Sequence, residues 1–185
     1  MSAPLDASRA SARRVTTTAL LAALLAASAV IAIPLGSVPM TLQVLIVVLI
    51  ALVVPPRWAA LAVGTYLLVG AVGLPVFSGM RGGLAVLTGP TGGYLFGFLV
   101  AAPIGAWVRG RLARRVDSPM VADALAGALT VEIVYVLGWL QLMLVTGMDP
   151  TGALLVGVVP FLVPDALKAA AAIAMAPAVR RAIVL

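Results

Sequence analysis

Asp165 and Lys168 stand three residues apart in a chain that carries few charges between its apolar stretches. On a helix this spacing projects both side chains from one face, where they reach each other or a shared ligand. Pro160 and Pro164 accompany them, and a helix that opens here presents backbone amides without intrahelical partners. Two readings stand side by side. As a structural salt bridge, the pair neutralises two stranded charges. As a polar clamp, its carboxylate accepts N–H donors while its ammonium donates to oxygen.

A second group lies in residues 73–92, which read Gly-Leu-Pro-Val-Phe-Ser-Gly-Met-Arg-Gly-Gly-Leu-Ala-Val-Leu-Thr-Gly-Pro-Thr-Gly. The stretch is too rich in glycine for a helix and too apolar for a solvated linker. A long loop with its own hydrophobic residues reads as a lid or binding loop. At membrane depth, non-helical backbone must be buried in protein or line a cavity. A simple packed loop is the plainer alternative. The stretch lacks a phosphate-loop ending in Gly-Lys-Ser/Thr, so a nucleotide is not its ligand. Thr41 and Gln43, after the Pro34-Leu35-Gly36-Ser37-Val38-Pro39-Met40 turn, are polar groups that serve as a helix cap or as ligand contacts.

Other chemistries are excluded by residue type. The chain has neither cysteine nor histidine, which removes disulfides, thiol nucleophiles, imidazole bases, the serine–histidine pair and the usual transition-metal ligands. Asp149 and Asp165 do not have the pattern of a protease dyad. Glu132 falls mid-way along an apolar run with Tyr135 and Trp139 after it, and the i, i+3, i+7 spacing places all three on one face. Its expected role is structural, as a protonated carboxyl hydrogen-bonded within the bundle; without histidine it makes a poor proton relay.

The elements that must position these groups are membrane helices. Hydrophobic residues make up 63% of the 185-residue chain and charged residues 10%, against about 45–50% and about 25% in soluble domains. Six apolar stretches, at about 15–33, 41–54, 57–72, 93–108, 120–145 and 161–178, read as spans of an all-α integral membrane protein. The second is short for a bilayer about 30 Å thick, and Pro55-Pro56 ends it. Residues 1–185 form a single transmembrane domain, with 1–14 as a cytoplasmic segment and 73–92 as a structured outer loop. The first stretch reaches spanning length and reads as a retained helix rather than a signal peptide.

Arg9, Arg13, Arg14, Arg57, Arg109, Arg111, Arg114, Arg115, Arg180 and Arg181 fall on one side of this arrangement, and only Arg81 falls in the opposite loops. The positive-inside rule puts both termini in the cytoplasm. It also accounts for the net charge of +6 without nucleic acid. In the first span, Ala19, Ala23 and Ala27 repeat every four residues, a spacing that admits close approach of another helix.

Four stretches taken together resemble the BioY family, the biotin-specific S-components of energy-coupling-factor (ECF) transporters. They are Val38-Pro39-Met40-Thr41-Leu42-Gln43; Gly73-Leu74-Pro75-Val76-Phe77; Arg81-Gly82-Gly83 with Leu87-Thr88-Gly89-Pro90-Thr91-Gly92-Gly93-Tyr94; and Pro160-Phe161 with Asp165 and Lys168. The chain departs from the family pattern in Val163-Pro164-Asp165, where Pro-Gly-Asp is usual, and in Met80, where a small residue is usual.

The resemblance implies an S-component-like bundle in a bacterial inner membrane, crossed several times. It implies biotin as transported substrate, with no cofactor and no catalysis. Asp165 and Lys168 would contact biotin, and the loop through Arg81, Gly82, Gly83, Thr91 and Tyr94 would add contacts and part of a lid, with Thr41 and Gln43 nearby. Biotin's ureido ring offers two N–H donors and a carbonyl, its rings and chain suit an apolar pocket, and its carboxylate would meet Arg81 or loop amides. Lys168 would hold either the ureido oxygen or the carboxylate. The implied partners are a transmembrane coupling subunit, facing Ala19, Ala23 and Ala27, and two cytoplasmic ATPases. Delivery alone, as a homo-oligomer, is also compatible with the sequence. An S-component for another vitamin, such as thiamine or riboflavin, would require more aromatic stacking than 5% aromatic residues offer.

Overall fold

The computed structural model describes residues 3–35 and 38–183, with side chains from residue 12 onward. The Gly36-Ser37 turn and the Arg9 side chain lie outside the described residues. The chain forms α1 (Ala3–Ser28), a β1–β2 hairpin (Ala32–Leu35 and Val38–Thr41), α2 (Gln43–Val53), α3 (Pro56–Ala71), α4 (Leu84–Thr88), α5 (Gly92–Leu112), α6 (Pro119–Thr146), α7 (Pro150–Gly157) and α8 (Leu162–Ala182).

The short second stretch is the centre of the bundle. Every residue of α2 from Ile46 to Val53 is buried, as a helix apolar on all sides requires, and it packs against α1, α3, α5, α6 and α8. A helix wrapped in protein has no lipid face to cover, so 11 residues suffice.

Helices α5 and α6 pack closely, and small residues make this possible. A side-chain carbon added at Gly97 would lie 2.9 Å from Val134 Cα, and one at Gly93 would run into the Leu137 carbonyl. Glycines four apart thus let the two backbones touch.

Three segments among the described residues are long and apolar enough to cross a membrane: Gly92–Leu112, Pro119–Thr146 and Pro150–Ala182, the last joining α7 and α8 through a 3-10 turn. They coincide with the expected spans at 93–108, 120–145 and 161–178. The first expected span is placed differently. Its helix begins at Ala3 and stops at Ser28, and the chain then turns back as an antiparallel hairpin with Pro34 opposite Pro39. Ile31 and Ile33 favour extended backbone, and a two-stranded ribbon consists of edge strands, where proline is tolerated.

At the end of the bundle opposite the hairpin, Asp123 of α6 is buried and holds two arginines. Arg109 Nε lies 3.0 Å from its Oδ1 and Arg180 Nη2 lies 2.7 Å from its Oδ2. Arg180 also donates to the Leu52 carbonyl at 3.0 Å. One carboxylate thereby ties α5, α6 and α8 to the end of α2. Sequence reading did not anticipate this cluster. Arg57 and Arg111 lie over the Trp58 and Trp107 rings at 5.0 and 4.5 Å.

Candidate functional site

The hairpin, the 73–91 segment, the starts of α2, α5 and α8 and the middle of α6 enclose a cavity of about 620 Å³, counted to its open mouth. Its floor is the start of α8. Pro164 falls within the first turn, where its missing amide proton leaves no bond unmade, so Asp165 and Lys168 keep their helical spacing. Lys168 Nζ lies 2.7 Å from Asp165 Oδ1, and Tyr135 of α6 donates to Asp165 Oδ2 at 2.9 Å. Asp165 is 3% exposed. Both its oxygens are engaged, yet each retains lone-pair capacity toward the cavity.

The 73–91 segment forms the cover. Phe77 N–H donates to the Arg81 carbonyl at 2.9 Å and Arg81 N–H returns to the Phe77 carbonyl at 3.3 Å, closing a tight loop. Its tip holds Gly79 at φ 71° and Met80 at φ 57°. Methionine thus occupies a left-handed position, which is why a small residue is the easier choice there. Phe77 is buried edge-on against Tyr66, ring centres 5.4 Å apart. Gln141 of α6 secures the far end of the cover by donating to the Leu87 and Gly89 carbonyls at 2.7 and 2.9 Å.

Of the residues expected at the site, Asp165, Lys168, Arg81 and Thr91 line the cavity. So do Tyr94, Thr41 and Gln43. Gln43 is buried and donates to Tyr66 Oη at 2.7 Å, while Thr41 Oγ1 accepts from the Gln43 amide at 3.2 Å. Thr41 does not cap α2, whose N-cap is Leu42 without a side-chain bond; the pair instead forms a local turn contact in the cavity wall. Tyr94 donates to the Gly157 carbonyl at 2.7 Å. Gly82 and Gly83 lie behind the lining and shape the cover. A side chain at Gly82 would meet the Leu74 carbonyl, and Gly83, at φ 91°, donates to the Gly70 carbonyl at 2.7 Å.

Tyr135 and Ser78 line the cavity without having been expected there. The only sequence signal for Tyr135 was its place on the apolar α6; its partner Asp165 is 30 residues away. Glu132 corrects an expectation. It is exposed on the outside of α6, whereas Tyr135 is buried. An offset of three residues turns a helix by about 300°, enough to send one side chain outward and the other into the bundle. Asp149 has a structural role, capping α7 by accepting from the Thr151 and Gly152 amides at 3.0 Å each.

The cavity's charged groups are Asp165, Lys168 and Arg81. The Asp165–Lys168 pair is neutral as a unit. Arg81 uses its Nε on the Ser78 carbonyl at 3.1 Å, leaving its terminal nitrogens free of protein partners among the described residues. The lining thus has one acid and two bases, an excess of one positive charge. The remaining walls are mostly apolar and aromatic, including Phe77, Phe98 and Phe161, with Thr41, Gln43, Ser78 and Thr91 among them. Such a site suits a mostly apolar molecule with hydrogen-bonding groups at both ends and one negative charge.

Away from the cavity, Ala19, Ala23 and Ala27 are exposed on α1, while Leu21, Ala22 and Leu25 turn into the bundle.

The family model described as "BioY family" matches residues 2–184. The chain belongs to the BioY family. A probable biotin transporter BioY of Pyrococcus horikoshii is 39% identical to it over 165 residues, which cover 89% of this chain and 94% of that one. The biotin transporter BioY of Thermotoga maritima is 47% identical over 148 residues, 79% of this chain and 83% of its own. The BioY-family fold is also that of a solved protein, the S-component for biotin from an ECF-type ABC transporter. The two superpose with a TM-score of 0.84 at 24% identity, over 92% of this chain and 90% of the other. In this BioY chain the departure at Val163-Pro164-Asp165 leaves the helix start intact, because α8 opens at Leu162.

Proposed function

We propose that this protein is the substrate-binding membrane subunit of a biotin uptake system, capturing biotin in the cavity beneath the hairpin and the 73–91 cover. It is a transporter component, not an enzyme. The observation that carries the reading is the cavity lining, which combines the Asp165–Lys168–Tyr135 cluster, the Arg81 guanidinium with its terminal nitrogens unpaired among the described residues, and largely apolar walls. Biotin has the complementary layout: a ureido group, an apolar ring and chain, and one carboxylate. Asp165 accepts a ureido N–H, and Arg81 faces the carboxylate.

In the membrane, α1, α2, α3, α5, α6 and α8 supply six spans, with both termini and ten arginines on the cytoplasmic side of a bacterial inner membrane. Biotin then enters from outside and leaves inward. That inward step draws on two cytoplasmic ATPases and on a transmembrane coupling subunit, which seats on the exposed alanine stripe of α1.

Two results check this reading. Biotin should raise the detergent unfolding midpoint of the purified protein, because a ligand that binds only the folded state stabilises it. Thiamine and riboflavin at equal concentration should leave the midpoint level; a rise with either, and none with biotin, would reassign the substrate. Separately, Ala23→Leu should abolish co-purification with the coupling subunit while biotin affinity stays within about twofold, since a bulky side chain blocks close helix approach. Loss of biotin binding with the complex retained would overturn that division of labour.

A further inference from the structure

Ser78 carries a buried hydroxyl that is not hydrogen-bonded. Among the described residues, its Oγ is the one buried side-chain nitrogen or oxygen without a partner. Buried polar atoms are rarely left so, because each forfeits its bond to water. Ser78 is a lining residue of the cavity, one residue after the buried ring of Phe77 and within the loop closed by the Phe77–Arg81 pairing. Its backbone carbonyl already receives Arg81 Nε, so the serine and the guanidinium are held in one tight turn.

We infer that the Ser78 hydroxyl is a ligand-binding group, donating a hydrogen bond to the carboxylate of the bound molecule beside Arg81. This inference rests on the proposed ligand and names a further residue of the same site. The hydroxyl is a donor whose hydrogen rotates to suit, and a carboxylate is the acceptor that gains most from it. Arg81 supplies charge and Ser78 supplies a directed bond. Together they favour a ligand ending in a carboxylate over one ending in an apolar group. The cover, in turn, is held down by the ligand it recognises.

The test compares parent and Ser78→Ala against two probes, biotin and a biotin analogue whose carboxylate is replaced by a methyl group. The alanine variant should bind biotin roughly tenfold or more weakly, as befits a lost charge-assisted hydrogen bond. Affinity for the methyl-ended analogue should be unchanged within about twofold. The unliganded unfolding midpoint should stay level or rise, because the change removes an unpaired buried hydroxyl. Equal biotin affinity in parent and variant overturns the inference and leaves the ligand assignment standing. Equal losses for both probes, or a lowered unliganded midpoint, also overturn it, because they show that the serine merely shapes the cover. Should the parent itself fail to bind biotin, the ligand assignment falls and this inference with it.

Discussion

Asp165→Asn is expected to weaken biotin binding by about two orders of magnitude or more. Asparagine keeps the shape of the side chain and the acceptor for Tyr135, but it removes the charge that Lys168 faces at 2.7 Å. The Lys168 side chain is only 11% exposed, so its ammonium is left buried without a counter-ion. Stranding one member of a buried pair costs roughly 3–5 kcal/mol of folding stability. The lost bond from the ureido group to a charged acceptor costs about 1.5–3 kcal/mol of binding, each 1.4 kcal/mol being about a factor of ten in affinity. The amide also presents N–H where a ureido N–H must be accepted. Lys168→Ala should fail comparably by stranding Asp165. Pairing Asp165→Asn with Lys168→Met separates the clamp from a merely structural bridge. Removing both charges relieves the stranding, so unfolding stability should recover toward the parent value while biotin binding stays lost. Recovery of binding together with stability would show that the pair is structural, the plainer of its two readings in the sequence.

Asp123→Ala should be the most destabilising single change in the chain. It removes the carboxylate between Arg109 and Arg180 and leaves two guanidiniums, each at most a quarter exposed, without their partner. A loss of roughly 3–5 kcal/mol is expected, read as a large fall in the detergent unfolding midpoint at a fixed scan rate. The cluster lies at the end of the bundle away from the cavity. The fraction that stays folded at low temperature should therefore bind biotin within about threefold of the parent, as distant independent sites do. An unchanged midpoint would mean that Asp123 is not the tie between α5, α6 and α8.

These two acids show what could be read in the sequence and what could not. The Asp165–Lys168 pair is local: three residues on one helix decide whether it forms, so spacing alone was enough. The cover was legible in part: its apolar residues rule out a solvated loop, but its glycines hid the short helix α4 at Leu84–Thr88. The Asp123 cluster depends on Arg109, Arg180 and Leu52, which come together only when three helices and the end of a fourth have packed. No local pattern marks them, and the arginines already had an explanation in membrane orientation. The hydrogen bond from Tyr135 to Asp165 was hidden in the same way.

Helix facing was the other weak point. Residues three apart can share a face or straddle its edge, and Glu132 and Tyr135 straddle it. The hairpin was concealed by an apolar run that continued past Ser28, where Ile31, Ile33 and two prolines change the backbone without changing hydropathy. The Gly93–Gly97 spacing was visible, and its consequence, the close α5–α6 contact, could have been drawn from it as it was from the alanines of α1.

The central claim is that this cavity holds biotin before any partner is present. Equilibrium dialysis of labelled biotin against the purified, partner-free protein in detergent tests it most directly. Single-site saturation is expected, with full displacement by unlabelled biotin and none by thiamine or riboflavin. Absence of saturable binding, or displacement of the label by riboflavin, would contradict it.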